Sequence, residues 1–248
     1  MFLKRFVLGP IETNCYLVAD ETIRDAVIID PDIRTRQEKE EVTGEIGRQK
    51  LSLKRVINTH HHSDHIGGNR MLKETYGAGI LIHELDAPVA REPWKWWQKT
   101  MRADPMHPCP GCGHQENYLN VFEEEGKAVL GCKACGFSIE ILSSPPADRL
   151  LCHGDVINVG RMEFRVIHTP GHTPGGMCLY VKEEKAIFTG DTLLNLSVGR
   201  TDTIDGSHED ILKSARSLME LPDETIVYPG HGDQTTIGRE KRENPYVR

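Results

Sequence analysis

The stretch Thr59-His60-His61-His62-Ser63-Asp64-His65-Ile66-Gly67-Gly68 decides how the rest of this 248-residue chain is read. Four of its ten residues are imidazoles and one is a carboxylate, set behind the apolar pair Val56-Ile57 and ahead of a helix-like segment. That is the end of a strand turning into a helix, the kind of loop where ligands gather. Alternate side chains of extended backbone point the same way, so His60 and His62 share one side, while Asp64 and His65 sit where the chain begins to curl. The placement fits two metal ions rather than one, and imidazole and carboxylate are the donors expected for zinc, iron or manganese. A solitary histidine is ordinarily a hydrogen-bonded core ring or a wet surface ring. Four clustered with an aspartate would carry several uncompensated desolvation costs without a cation.

Working outward, residues 53–58 form the strand that delivers this loop, and Met71, Leu72 and Tyr76 continue a helix that Gly77 stops. Strands are expected at 2–8, 14–19 and 26–30, separated by Gly9-Pro10 and a charged turn. Residues 34–50 read as a mostly wet helix with Val42 and Ile46 facing a sheet. A strand at 79–83 follows, and later ones at 163–167, 177–181, 185–189 and 224–228. Ser207, with Asp210 three residues on, starts a helix carrying Ile211, Leu212, Ala215, Leu218 and Met219 at helical spacing. Strands alternating with helices indicate a layered α/β sandwich.

Composition bounds the remainder. The length and the 38% hydrophobic content suffice for one large domain or one domain with an insertion. A net charge of −7 provides no long-range attraction for nucleic acid or an anionic membrane. The N-terminal apolar run is broken by Lys4-Arg5, too early for a signal peptide, and no run of about 18 apolar residues could span a bilayer. A cytoplasmic protein is expected. Of seven cysteines, four fall in two Cys-x-x-Cys pairs; Cys15, Cys152 and Cys178 remain, an odd number that argues against a disulfide framework.

Three further segments each end an expected strand with a polar residue beside glycine: Thr169-Pro170-Gly171-His172, Thr189-Gly190-Asp191-Thr192 and Tyr228-Pro229-Gly230-His231-Gly232. Each is an ordinary turn taken alone. The succession His60-x-His62-x-Asp64-His65, His172, Asp191, His231 resembles the metallo-β-lactamase superfamily, and the likeness begins with Gly9-Pro10, Asn14-Cys15-Tyr16 and Ile29-Asp30-Pro31. Within it, Gly190-Asp191-Thr192-Leu193, Gly199-Arg200-Thr201-Asp202 and Thr235-Thr236-Ile237-Gly238-Arg239-Glu240 look like the short glyoxalase II-like hydrolases.

The resemblance implies a four-layer αββα sandwich holding two divalent ions, zinc or alternatively iron or manganese. One ion would take His60, His62 and His172; the other Asp64, His65 and His231; Asp191 would bridge them. It implies hydrolysis of an acyl-thiol, as in hydroxyacylglutathione hydrolases, by a metal-bridging hydroxide that Asp64 and Asp191 help orient, with Arg200 facing a substrate carboxylate. Only 17 residues follow His231, so the helical domain that supplies most glutathione contacts in full-length glyoxalase II is missing, which points to a smaller or different thiol carrier. The alternatives are a persulfide dioxygenase, similar through His60, His172 and Asp191 but using one iron, and lactone or other ester hydrolysis on the same fold.

Residues 88–147 change character, with several prolines, the Trp94-Lys95-Trp96-Trp97 cluster and the cysteine pairs. Cys109-Pro110-Gly111-Cys112 and Cys132-Lys133-Ala134-Cys135 lie 19 residues apart. Doubled knuckles of this kind converge four thiolates on one structural zinc and look like a zinc ribbon. His114 is a substitute ligand that four cysteines make unnecessary. The division expected is a hydrolase domain over 1–103 and 144–248 with a ribbon over 104–143, serving a structural role, protein docking or self-association. The acids Glu116, Glu123, Glu124 and Glu125 against Lys127 disfavour nucleic acid. The tryptophans are expected to pack under the ribbon, the alternatives being an exposed patch for a partner or a wall of the substrate site.

Overall fold

The computed structural model describes residues 1–103, 109, 112–113, 119–124 and 127–248; His114, Glu116 and Glu125 fall outside them. In chain order come β1 (Phe2–Leu8), β2 (Thr13–Ala19), β3 (Asp25–Ile29), α1 (Arg36–Arg48), β4 (Ser52–Asn58), α2 (Ser63–Ile66), α3 (Asn69–Tyr76) and β5 (Gly79–His83). Then follow α4 (Ala87–Arg91), α5 (Pro93–Ala103), β6 (Leu119–Glu124), β7 (Lys127–Cys132) and β8 (Ser138–Glu140). The chain continues through β9 (Arg149–Leu151), β10 (Val156–Val159), β11 (Met162–His168), β12 (Met177–Val181), β13 (Ala186–Gly190), β14 (Leu193–Leu194) and β15 (Ser197–Val198). It closes with α6 (His208–Leu218), β16 (Ile226–Pro229), β17 (Thr235–Thr236) and α7 (Ile237–Glu243).

Two six-stranded sheets carry the molecule, ordered β1-β2-β3-β4-β5-β9 and β10-β11-β12-β13-β16-β17. Their inner faces share one core, in which Tyr16, Val18, Val27 and Ile29 of the first meet Phe164, Val166, Leu179 and Phe188 of the second. The outer faces are covered by helices. On β2, Cys15 and Leu17 alternate with Tyr16 and Val18 and pack instead with Val42 and Ile46 of α1 and Leu72 of α3. On the other side, Cys178, Ile187 and Val227 pack with Ala215 and Leu218 of α6 and Ile237 of α7. A strand buried on both faces must be apolar at every position rather than at alternate ones, which is why residues 14–19 read as a continuous run. The layers are therefore helix, sheet, sheet, helix, as expected.

Local chemistry sets the element ends. Helix α1 begins after Thr35, whose hydroxyl accepts from the Glu38 N–H while the Glu38 carboxylate accepts from the Thr35 N–H, a capping box that places the start at 36 rather than 34. Ser207 caps α6 by accepting from the Asp210 N–H. The prolines after residue 87 do not exclude helix, because Pro88 and Pro93 stand in the first turns of α4 and α5, where the missing N–H has no helical partner to lose. The excursion lies between β5 and β9, parallel neighbours in the first sheet, so it leaves and rejoins the fold at one edge. Its β6, β7 and β8 form a separate three-stranded antiparallel sheet.

Candidate active site

Four loops at the carboxyl ends of strands meet where the two sheets join, the place at which open α/β sheets present their ligands. The loop after β4 brings His60, His62, Asp64 and His65; those after β11, β13 and β16 bring His172, Asp191 and His231. Backbone bonds stitch the seam: Met177 N–H donates to Thr59 C=O at 3.0 Å, Asn14 N–H to Gly230 C=O at 2.7 Å and Gly230 N–H to Gly190 C=O at 2.8 Å.

The seven side chains converge in overlapping sets. His62 Nδ1 lies 3.0 Å from His60 Nε2 and 2.9 Å from His172 Nε2. Asp64 Oδ2 lies 3.1 Å from His65 Nε2 and 3.3 Å from His231 Nε2. Asp191 stands between: its Oδ2 is 3.5 Å from His172 Nε2 and 3.6 Å from His231 Nε2, and its Oδ1 is 3.7 Å from His65 Nε2. Two bonds of about 2.0–2.1 Å to a tetrahedral ion separate their nitrogens by roughly 3.3 Å, close to these spacings. The donor set fits a pair of cations. His62 Nε2, both ring nitrogens of His65 and Asp191 Oδ1 are buried without a well-aligned hydrogen bond to any described group.

A surrounding layer fixes the rings, and sequence reasoning assigned it no role. Thr59 Oγ1 donates to Asp30 Oδ2 at 2.6 Å and lies 3.1 Å from His60 Nδ1, whose N–H it accepts in the tautomer that turns Nε2 toward the cluster. The same Asp30 oxygen is 3.0 Å from His65 Nδ1. His172 Nδ1–H donates to the Arg200 carbonyl at 2.8 Å, and Thr13 Oγ1 donates to Asp64 Oδ2 at 3.0 Å. Asp86, fully buried, accepts from the His61 N–H, the Thr173 hydroxyl and the Gly175 N–H at 3.0, 2.7 and 2.6 Å. It thereby ties the first histidine loop to the loop bearing His172. Gly230 is required by space: a Cβ there would stand 2.2 Å from Asp191 Oδ1. No local pattern assigns Asp30 or Asp86 this role, since each is simply an aspartate at a strand or helix end.

Burial and charge divide the imidazoles. Desolvation, reinforced by neighbouring imidazoles, holds His60 and His62 well below the usual histidine range; His172 is lowered too, burial outweighing the attraction of Asp191. All three are therefore neutral with a lone pair available at pH 7. Burial opposes protonation of His65 and His231 as well, but their carboxylate neighbours reverse it, raising His65 well above the ordinary value and His231 to about 9. Burial works against ionising Asp64, yet the His65 charge and the bond from His231 keep its carboxyl well below the usual range.

The other expected site residues stand apart from this cluster. The Arg200 side chain forks onto Asp202, Nε to Oδ1 at 2.7 Å and Nη2 to Oδ2 at 2.8 Å. Cys109, Cys112, Cys132 and Cys135 bring their sulfurs within 4.8 Å of one another, with Cys109–Cys135 at 3.8 Å and Cys112–Cys132 at 4.0 Å. Two zinc–sulfur bonds of about 2.3 Å predict roughly 3.8 Å, so this set fits one tetrahedral ion. Against the effect of burial, the Cys135 and Ala134 N–H groups draw the Cys132 thiol down to about 7. The tryptophans only partly follow the expectation. Trp94 and Trp97 pack against the cluster that holds Cys109 and Cys132, but Trp96 is buried with its ring 4.9 Å from that of His62 and 5.1 Å from that of His61.

The family model of the metallo-beta-lactamase superfamily matches residues 8–231, and the chain belongs to that superfamily. Its relatives include glyoxalase II-like hydrolases: it is 32% identical to the hydroxyacylglutathione hydrolase GloC of Haemophilus influenzae, over 95% of this chain and 93% of that protein. The crystal structure of BLEG-1 B3 metallo-beta-lactamase superposes with a TM-score of 0.75 at 30% identity, covering 99% of each chain. TTHA1623 in a di-iron-bound form gives 0.72 at 30% identity over 98% of this chain and 99% of the other. ETHE1 from Myxococcus xanthus gives 0.68 at 27% identity over 100% and 84%. No helix among the described residues is long and apolar enough to cross a membrane.

Proposed function

We propose that the protein is a binuclear metallohydrolase that cleaves an acyl-thiol. The observation that carries this reading is the double convergence at the seam, three neutral imidazoles beside a second set of Asp64, His65 and His231, with Asp191 between. His60, His62 and His172 would hold one cation, Asp64, His65 and His231 the other, and Asp191 both. A bound pair of divalent ions supplies hydroxide at neutral pH and a positive field for the developing oxyanion. The chain's own part is to hold donors rigidly and to accept a proton. Thr13 steadies Asp64, and the Asp64 and Asp191 carboxylates offer acceptor oxygens at the centre. A thiolate leaves without a dedicated acid, which suits a site in which no acidic side chain is needed opposite the carboxylates. Arg200, partly exposed and paired with Asp202, is assigned to the substrate's carboxylate. The cysteine tetrad is assigned a structural zinc.

The likeness to GloC supports the thioester substrate, and the di-iron form of TTHA1623 supports the metal pair. Asp191→Ala should abolish turnover of acyl-thiols such as S-lactoylglutathione. The assignment fails if wild-type protein with two metals at this centre ignores every acyl-thiol offered. A single-iron persulfide dioxygenase is the second reading, favoured by the likeness to ETHE1. His231 Nε2, 3.3 Å from Asp64 Oδ2, weighs for two ions. One iron per chain at this centre, with oxygen uptake on adding a persulfide, would decide for the dioxygenase.

A further inference from the structure

Beside the polar cluster runs a narrow apolar cleft that no step above uses. Its floor includes Ile11, from the turn between β1 and β2, and Ser63 and Asp64 of the histidine loop, and its wall is Trp97 of α5, Leu130 of β7, Phe137, Ile139 of β8 and Ile141. Every one of these wall residues belongs to the excursion between β5 and β9. They are also the residues that pack around the tetrad: Leu130 and Ile141 share a buried cluster with Cys109 and Cys132, and Trp97, Phe137 and Ile139 lie against it. The wall is anchored to the body of the fold. Arg34 Nη1 donates to the Glu140 carbonyl at 2.7 Å while its Nε pairs with buried Asp32, and Asn69 Nδ2 of α3 donates to Ser144 Oγ at 2.8 Å.

We infer that this cleft is the subsite for the acyl chain of the substrate, and that the chain it selects is short and apolar. The inference rests on the hydrolase reading above and adds the substrate's shape to it. A reacting carbonyl must lie beside Asp64 and Asp191, and the group extending from it toward the floor residues Ser63 and Asp64 enters a slot lined by six apolar side chains. A hydroxyl on the part of the acyl group that lies against the apolar wall would lose hydration without a partner there. Each buried methylene strengthens binding about fourfold, so the excursion acts as a selectivity wall whose shape the four cysteines hold.

The test uses full-length, metal-loaded protein and two non-hydrolysable probes, the S-butyl and S-methyl thioethers of N-acetylcysteamine, with binding followed by calorimetry. Wild type should prefer S-butyl by about 10-fold to 60-fold, the range for partial to full burial of three methylenes. Ile139→Phe, which fills the slot, should erase that preference. Ile139→Ala, which deepens it, should move the optimum to a longer S-alkyl chain. Opposite shifts from two substitutions at one position do not arise from general unfolding. Equal binding of the two probes by wild type, or a butyl preference that survives Ile139→Phe, overturns the inference. Turnover of acyl-thiols without chain preference would sink the cleft and leave the hydrolase standing. Chain preference without turnover of any acyl-thiol would do the reverse, keeping the cleft as an apolar ligand site.

Discussion

Two donor clusters in this protein are built in opposite ways. The seven imidazole and carboxylate side chains span residues 60 to 231 and are brought together by two sheets whose shared core is apolar. The four cysteines span residues 109 to 135, and the small sheet that carries Cys132 has only a modest apolar cluster of its own. A piece of about 35 residues buries too little surface to fold without help. The first cluster should therefore be assembled by the fold before any cation arrives, whereas the second should depend on its cation for order.

Removing a donor at the centre of the first cluster should have the largest effect and should fall on chemistry rather than folding. Asp191→Ala is expected to lower kcat/KM by more than about 100-fold, beyond the range for residues that only orient ligands, with circular dichroism and Tm near wild type. A global loss of structure would break the contrast between the clusters. Next comes Asp86, which touches none of the seven side chains that converge. Asp86→Ala should cost about 10-fold to 100-fold in metal affinity, measured by chelator competition. Asp86→Asn should recover part of it, since an amide oxygen still accepts from the N–H donors. Unchanged affinity in Asp86→Ala would show that the loops hold their spacing unaided.

The second cluster should behave the other way. Cys112→Ser is expected to remove one metal equivalent per chain and to make the stretch between β5 and β9 susceptible to limited proteolysis, while the two-sheet body keeps its Tm within a few degrees. If the body unfolds with it, the two clusters are one cooperative unit. The smallest effect is expected far from both. Arg161, together with the Ile23 and Thr22 N–H groups, holds the Asp20 carboxyl well below the usual range. A lowered folded-state pKa stabilises fully above the unfolded value of about 3.9 and loses that contribution as pH falls toward the folded one. Asp20→Asn should thus flatten the dependence of Tm on pH below about pH 4 and leave metal content untouched.

What could be read from the chain, and what could not, follows the same division. The strands at 2–8, 79–83 and 177–181 were legible because alternating or continuous apolar runs leave one way to bury them, and Gly77 does end its helix with a left-handed residue. Helices α4 and α5 were not legible as such, since a proline reads as a break unless its place in the first turn is known. Asp30 stood in the Ile29-Asp30-Pro31 part of the resemblance and Asp86 in no motif, but the roles of both were hidden, because these depend not on their neighbours in sequence but on the groups that come to lie against them. The same holds for Trp96, whose contact with the His62 ring reverses the expectation that it packs only beneath the cysteines.

By itself the sequence determined the inventory: which donors exist, that glycine frees the turns beside three of them, and that two paired cysteine knuckles are spaced for one ion. Only the tertiary structure decided that Asp30 serves two imidazoles at once, that Asp86 joins two loops, and that the excursion turns an apolar wall toward Asp64. Residue types and short-range spacing are local quantities carried by the chain, whereas a distance between side chains tens of residues apart is set by how the sheets and the excursion pack.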